Sequence, residues 1–254
     1  MINQFRNKNI LFLLIIPLLT FLLNATIVKE REPFFASWSD PTYDYLFNGL
    51  SIATGYLQVG HAPHPGTPLH IYTGALIRFF HFFNEEENII RDVISNPEWY
   101  LFRIAITNCI LISLCMFYAG ILMLRFSKNI FYALVIQLTH IVTLRAMFFS
   151  QNLMTEFVLV ITGILLAPLL FIYTFSEDKK SFSKLLLIAG IITGVMIAGK
   201  LSSFSILILW LIIISGWKNR IYFLLTVTVM FLIFTIPAWK IADEFLGWIG
   251  SMVT

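Results

Sequence analysis

Charged residues are scarce in this sequence. Asp, Glu, Lys and Arg make up 12% of the 254 residues, whereas hydrophobic residues make up 58% and the mean hydropathy is +0.83. Because a soluble globular domain has about a quarter charged residues, this composition excludes an ordinary soluble domain and predicts that lipid is the solvent for much of the surface. The net charge of +3 is too small and too scattered to indicate a nucleic-acid partner.

Cysteine and nucleotide-binding motifs are also scarce. Cys109 and Cys115 lie six positions apart in one apolar run, so on a helix they face different sides. This excludes a disulfide framework, and there is no CxxC metal signature. The sequence has no GxxxxGK[ST] and no GxGxxG beside a strand, so no cytosolic nucleotide site is recognisable. It also lacks the gating-charge array of a voltage sensor and the paired broken helices of many transporters.

Long apolar runs fill most of the chain and predict an all-α, polytopic transmembrane bundle of about seven spans, because a membrane helix needs about 20 apolar residues. The first run follows a basic start like that of a signal peptide. The run is too long for the apolar region of a signal peptide, and no cleavage site follows it, so we interpret it as an uncleaved membrane span. The predicted spans are 10–28, 99–124, 129–149, 154–175, 183–199, 203–217 and 221–239.

The positions of the charges predict a cytoplasmic N-terminus. In that orientation the inner segments hold nine Lys and Arg residues, whereas the short outer connections hold only Arg145, Lys200 and Lys240. Acidic residues show the opposite bias, with 12 of the 14 outside. We expect one membrane domain over residues 1–254 without a soluble C-terminal domain, in a bacterial inner membrane. The outer face is then the expected location of any acid–base or cation chemistry.

The first outer loop, residues 28–98, has a helical pattern of its own. Asp40-Pro41 is typical of a helix start, and apolar residues then repeat at helical spacing with Asp44, Asn48 and Ser51 on the opposite face. Thr67-Pro68 starts a second amphipathic helix, and Asn84 begins a third, shorter one. We predict that the first two lie in the membrane interface.

Two acids in this loop are candidate catalytic bases. Asp40 would stand at the outer membrane surface, where a carboxylate can deprotonate an acceptor hydroxyl or amine. An Asp before Pro is equally typical of a helix N-cap, and one carboxylate can serve both roles. Asp44 is the second candidate, and its alternative role is that of a solvated residue on a helix face.

Histidines follow in the Pro- and Gly-rich stretch HAPHPGTPLH (61–70). Together with Asp40 or Asp44, the side chains of His61, His64 and His70 are possible ligands of a divalent metal. The spacing matches no metal motif, so we expect no cofactor. A His64 that hydrogen-bonds a phosphate or a sugar, or a purely structural histidine, is the preferred interpretation.

A third set of charges lies at the outer ends of later spans. Arg145, Glu156 and Lys200 are costly at such depth unless they pair, reach the interface or act on a ligand. Arg145 and Lys200 are suited to clamp a phosphate leaving group. The structural alternative is an Arg145–Glu156 ion pair, with Lys200 reaching the interface. For His140, deeper in a span, we expect a helix–helix hydrogen bond.

Four short motifs occur in order along the outer side of the predicted spans. The first is an acid followed by an aromatic residue and a helix that ends near Gly55, and the second is a His-Pro-x-x-Pro-Leu element. A small-residue segment ending in Glu and a Gly-Lys-x-Ser element complete the set. They are Asp40-Pro-Thr-Tyr43, His64-Pro-Gly-Thr-Pro-Leu69, Ser150-Gln-Asn-Leu-Met-Thr-Glu156 and Gly199-Lys-Leu-Ser202.

In their order and placement, these motifs resemble those of the GT-C membrane glycosyltransferases, which include the protein O-mannosyltransferases and the lipid A aminoarabinose transferases. The resemblance covers about the first 200 residues. It implies that Asp40 is the general base, that Lys200 and Arg145 are candidates for the lipid-phosphate site, and that the donor is a sugar on a polyprenyl phosphate. We add His64 and Glu156 to the predicted donor-binding residues. The partners would be this lipid-linked sugar, membrane lipids and an acceptor that the sequence does not identify.

Two departures from the family qualify this prediction. Family members often have Asp-Glu where this chain has Asp40-Pro41, and they usually have more spans and a soluble C-terminal domain. The chain is therefore expected to be a short or truncated member, or one that needs a partner subunit. The alternative is a non-enzymatic membrane protein, such as a lipid or polysaccharide transport component or an inactive transferase. A third option is an acyl- or phosphotransferase that uses the same loop.

Overall fold

The computed structural model describes residues 2–31, 33–36, 42–57, 60, 66–139, 141, 147–149, 151–176, 183–241, 243 and 247. The regular structure in this part of the chain is helical, without a β-strand. Short 3-10 helices cover Phe34–Ala36, Leu201–Ser203 and Ile236–Ile241. The α-helices are α1 (Ile2–Glu30), α2 (Thr42–Ala53), α3 (Thr67–His81), α4 (Ile89–Ser95), α5 (Pro97–Ser127), α6 (Ile130–Leu138), α7 (Thr155–Phe175), α8 (Ser183–Gly199), α9 (Phe204–Ile213) and α10 (Trp217–Thr235).

Four helical segments are long and apolar enough to cross a membrane, as expected for an integral membrane protein. They are Ile10–Glu30, Pro97–Ser127, Thr155–Phe175 and Trp217–Trp239, and they agree with four of the predicted spans. The other three predicted spans coincide with α6, α8 and α9, whose 9, 17 and 10 residues are fewer than the usual length of a span. The all-α prediction is thus confirmed for the described residues, and the count of seven spans stays a prediction.

The first loop contains a pair of packed helices. The predicted helices are present as α2 and α3, which cross so closely that a Cβ on Gly74 would lie 2.8 Å from the carbonyl oxygen of Gly49. The third predicted helix begins later than expected, at Ile89. Asn88 is its N-cap and accepts from the backbone N–H of the two residues after Ile89, whereas Asn84 donates to Asp92.

The long helices pack side by side, α1 against α5, α5 against α7, α7 against α8 and α8 against α10. The end of α1, the start of α5, the start of α7 and the end of α8 lie at one end of this bundle, which we call the Lys200 end. At the other end, the hydroxyl of Tyr173 accepts from the backbone N–H of Ser215 at 3.0 Å. The short helix α9 therefore runs from the Lys200 end to the opposite end.

Candidate functional site

A segment just before and within the first turn of α7 contacts helices from several parts of the chain. We call residues 151–157 the junction segment. The Gln151 side chain donates to Oδ1 of Asn24 at 2.7 Å, and Arg31 donates to Oδ1 of Asn152 at 2.9 Å. Asn108 donates to the carbonyl of Asn152 at 3.3 Å. Polar groups within apolar helices need such partners, and here they join α1 and α5 to the junction segment.

Helix α3 contacts the same segment from the side of the first loop. The Tyr72 hydroxyl donates to Oδ1 of Asn108 at 2.8 Å, and its ring lies 5.6 Å from the ring of Phe157. Gly66, which precedes α3 with a left-handed φ of 51°, lies so close to the junction segment that a Cβ on it would be 3.1 Å from Cγ2 of Thr155. The HAPHPG stretch thus ends beside the residue that precedes Glu156.

An ion pair joins the junction segment to the end of α8. Nζ of Lys200 donates to Oε1 of Glu156, and the hydroxyl of Thr155 donates to Oε2 at 3.2 Å. The side chains are 24% and 16% exposed for Lys200 and Glu156, so both charges are largely removed from solvent while an opening to it remains. An ammonium has three N–H donors, and within the described part of the chain Glu156 engages one of them.

Glu98, in the first turn of α5, binds residues that come before and after Asp40, the predicted base, in the sequence. Its carboxylate accepts from the backbone N–H groups of Phe34 at 2.8 Å and Phe35 at 3.1 Å, and from the hydroxyl of Tyr43 at 2.6 Å. Burial and the bond to Glu98 raise the pKa of Tyr43 to about 12, so its hydroxyl remains a donor at neutral pH. The positive charge of Arg31 interacts with the same carboxylate.

The carboxylate of Asp92, on α4, connects α3, α4 and α5 through hydrogen bonds. Oδ2 of the buried Asp92 lies 2.8 Å from Nδ1 of His81 and accepts from Asn84 at 2.9 Å and from the Tyr100 hydroxyl at 2.6 Å. Burial alone would raise the pKa of Asp92, but the hydrogen bonds from these three side chains outweigh it and hold that pKa below its ordinary value.

The structure describes some of the predicted site residues and not others. Glu156 and Lys200 are brought together as a pair, which replaces the expected alternative in which Lys200 reaches the interface alone. Asp44 is exposed on α2. The candidate site residues Asp40, His61, His64 and Arg145 lie outside the described residues, and so does His140, for which a helix–helix hydrogen bond was expected.

His70 is fully buried on α3, where its ring stands 5.8 Å from that of Tyr45. This burial fits the structural interpretation of His70 better than that of a metal ligand open to substrate. Among the residues that the structure describes, no group of three or more His, Cys, Asp or Glu side chains is arranged to hold a metal ion.

Several residues of the site were missed from the sequence. Glu98 was hidden by its position after Pro97, where an acid is ordinary in the first turn of a helix. Asn24 and Asn108 carried a usable signal, because an amide inside an apolar run indicates a partner on another helix. No local pattern indicated that Arg31 and Asn152 would meet, since they are 121 positions apart.

No family model, curated protein or solved structure matches the chain. The fold and the site therefore define its class, a helical membrane protein with a polar site at one end of its bundle. Within that class, the function has to be argued from the site itself.

Proposed function

We propose that the protein is a membrane glycosyltransferase that moves a sugar from a polyprenyl-phosphate-type donor to an acceptor on the extracytoplasmic face. The observation that carries the proposal is the half-buried Lys200–Glu156 ion pair, which lies beside Thr155 and close to Gly66. A cation that is fixed by one carboxylate and still has N–H donors to offer is suited to a phosphate. The resemblance of the motif order to the GT-C transferases supports the same function.

In the proposed reaction, the carboxylate of Asp40 takes the proton of the acceptor hydroxyl or amine. The acceptor atom attacks the anomeric carbon of the sugar, and the bond from that carbon to the phosphate oxygen breaks. The lipid phosphate leaves with the bonding electron pair, and its added charge is stabilised by Lys200 and Arg145. His64 donates a hydrogen bond to the donor, while Glu156 fixes the position of Lys200.

The proposed topology has seven crossings, with α6, α8 and α9 as short spans and the Lys200 end outside. The excess of Lys and Arg in the inner segments supports a cytoplasmic N-terminus. With this orientation, the polar groups of the junction segment and most acids of the chain face the outer side of a bacterial inner membrane. A lipid-linked sugar would reach them from the outer leaflet.

The test is sugar transfer in proteoliposomes supplied with lipid-linked sugars. A general base contributes about 10²–10⁴ in rate, so Asp40→Asn is expected to reduce turnover by at least about 100-fold. Asp44→Asn is the matched control, because it removes an exposed carboxylate four positions away and is expected to change turnover less than twofold. Equal turnover by the wild type and Asp40→Asn would exclude the proposed base, and a large loss in Asp44→Asn alone would transfer the role to Asp44.

The same assay separates the alternatives. Full activity in the presence of a chelator is expected, because the proposed mechanism uses no metal. The wild type could bind the donor lipid and yet transfer none of the lipid-linked sugars offered. That result would favour a non-enzymatic lipid-handling protein. Acyl or phosphoryl transfer without sugar transfer would replace the glycosyltransferase with the corresponding transferase.

A further inference from the structure

The seam between α1 and α5 contains cavities at two depths. At the Lys200 end, a cavity of about 380 Å³ is lined by Val28, Lys29, Arg31, Pro33, Phe34, Glu98, Trp99 and Phe102. A second cavity of about 360 Å³ adjoins the seam, between α5 and Phe80 of α3, and it shares Trp99 and Phe102 with the first. Deeper along the seam, a third of about 230 Å³ is almost entirely apolar.

The upper and lower cavities lie on the same face of each helix. On both α1 and α5 the linings contain residues spaced three, four or seven apart, together with some of their direct neighbours in the sequence. Because such spacing keeps residues on one side of a helix, the cavities lie in line along the seam, and we treat them as parts of one groove. Its members are Leu14, Leu18, Phe21 and Val28 on α1, and Trp99, Phe102, Ile106, Ile110, Ser113 and Phe117 on α5.

The charges fix the depth of this groove in a membrane. Residues 104–124 of α5 contain no charged residue and lie between Arg103 and Arg125. These 21 residues extend about 31 Å, which equals the hydrocarbon thickness of a bilayer. Arg103 therefore lies at the headgroup level, and the lower cavity, beginning near Ile110, lies about 10–20 Å below it, around the middle of the bilayer.

The upper part of the groove offers positive charge at that level. Lys29 and Arg103 are exposed, and in the described chain neither belongs to an ion pair. The Arg103 guanidinium lies 4.0 Å above the ring of Trp99, which is the arrangement of a cation–π contact. The upper cavity is also lined by the Glu98 carboxylate, whose negative charge is opposed by that of Arg31 in the same lining.

The lower part of the groove faces the lipid. Leu14, Leu18, Ile110 and Leu114 are 41–58% exposed along it. An occupant that meets cations at the headgroup level and apolar walls to the middle of the bilayer has the shape of a phospholipid, with one acyl chain in the seam. A zwitterionic choline headgroup would bring its ammonium against Lys29 and Arg103, so an anionic headgroup is the better match.

We infer that the α1–α5 seam binds one anionic membrane phospholipid, with its phosphate at Lys29 and Arg103 and an acyl chain along the groove to Ser113. This inference does not depend on the proposed transferase activity. It needs only the membrane-spanning character of α1 and α5.

The test uses the full chain in nanodiscs of equal phosphatidylglycerol and phosphatidylcholine, with retained lipid counted by native mass spectrometry. The wild type is expected to retain phosphatidylglycerol preferentially. Lys29→Gln/Arg103→Gln is expected to retain about fivefold less, because each exposed charge contact contributes modestly. The control, Arg91→Gln/Lys218→Gln, removes two exposed charges elsewhere and is expected to match the wild type. An equal loss in both double variants would overturn the site.

A second pair of variants tests the apolar part. Leu18→Trp fills the groove, whereas Leu22→Trp places the same side chain on an exposed position of α1 outside the lining residues. Only Leu18→Trp is expected to reduce retention, and unfolding temperatures confirm that both variants are folded. Equal retention by the two variants, or preferential retention of an added polyprenyl phosphate over phosphatidylglycerol, would overturn the assignment to a phospholipid.

Discussion

Lys200 and Glu156 form a half-buried ion pair that joins the end of α8 to the beginning of α7. Removing one partner leaves the other charge in a poorly solvated position. We therefore expect Lys200→Met and Glu156→Gln each to lower the free energy of unfolding by about 1–3 kcal/mol. Thermal unfolding of the purified protein in detergent measures this effect.

The double variant separates stability from function. Glu156→Gln/Lys200→Met removes both charges, so it is expected to recover most of the stability that either single change loses. If Lys200 also binds the donor phosphate, sugar transfer stays lost in the double variant although the fold is restored. Transfer at the wild-type rate in the stable double variant would remove Lys200 from the mechanism.

We expect substitution of Glu98 to lower the free energy of unfolding more than substitution of its hydrogen-bond partner Tyr43. Tyr43→Phe removes one hydrogen bond and should lower the free energy of unfolding by about 0.5–1.5 kcal/mol. Glu98→Gln replaces one carboxylate oxygen with an amide N–H₂ that faces the N–H of either Phe34 or Phe35, and a loss of about 2–3 kcal/mol is expected. Glu85→Gln, an exposed acid of the same loop, is the control and should stay within about 0.5 kcal/mol. Equal effects of Glu98→Gln and Glu85→Gln would contradict the anchoring role.

Asp92 predicts a specific dependence of stability on pH. Its folded-state pKa is held below the ordinary value of 3.8, so the ionised form stabilises the fold. This stabilisation is complete above the unfolded-state pKa and is lost as the pH falls through 3.8 toward the lower folded-state value. Asp92→Asn should therefore lower the unfolding temperature at pH 7, and its difference from the wild type should shrink below about pH 4. A difference that stays constant from pH 7 to pH 3 would contradict this assignment.

Patterns in the sequence predicted the helices that depend on the local sequence alone. The helices α2 and α3 follow from apolar residues at helical spacing after Pro41 and Thr67, and four spans follow from the length of their apolar runs. Length alone does not decide whether α6, α8 and α9 cross the membrane, because each has fewer residues than a typical span. The bounds of α8 equal those of its predicted span, 183–199, whereas α9 is shorter than its predicted span, 203–217.

The partners of polar residues depend on packing and were harder to predict. Asn48 was expected on the polar face of α2, but it is buried and accepts from the N–H of Gly60 at 2.7 Å. The sequence offered Arg145, which lies outside the described residues, as a partner of Glu156, and it did not indicate the contact of Glu156 with Lys200, 44 positions away. The sequence identifies such residues as needing a partner, and the helix packing decides which one they obtain.

The crossing of α2 and α3 provides a test in which two substitutions of the same kind have opposite effects. A Cβ on Gly74 would lie 2.8 Å from the carbonyl oxygen of Gly49 and 3.2 Å from the backbone nitrogen of Ala53. Because backbone atoms cannot move aside without separating the helices, Gly74→Ala is expected to lower the free energy of unfolding by about 1–3 kcal/mol.

Gly163 lies inside α7, and apart from its own helix no atom of the described residues lies within 4 Å of the same added atom. Gly163→Ala is therefore expected to leave stability unchanged or to raise it by up to about 1 kcal/mol, because alanine is the better helix former. Both variants are compared by thermal unfolding in the same detergent. If Gly74→Ala proved as stable as Gly163→Ala, α2 and α3 would not cross as closely as described, and the first loop would pack on the junction segment by other contacts.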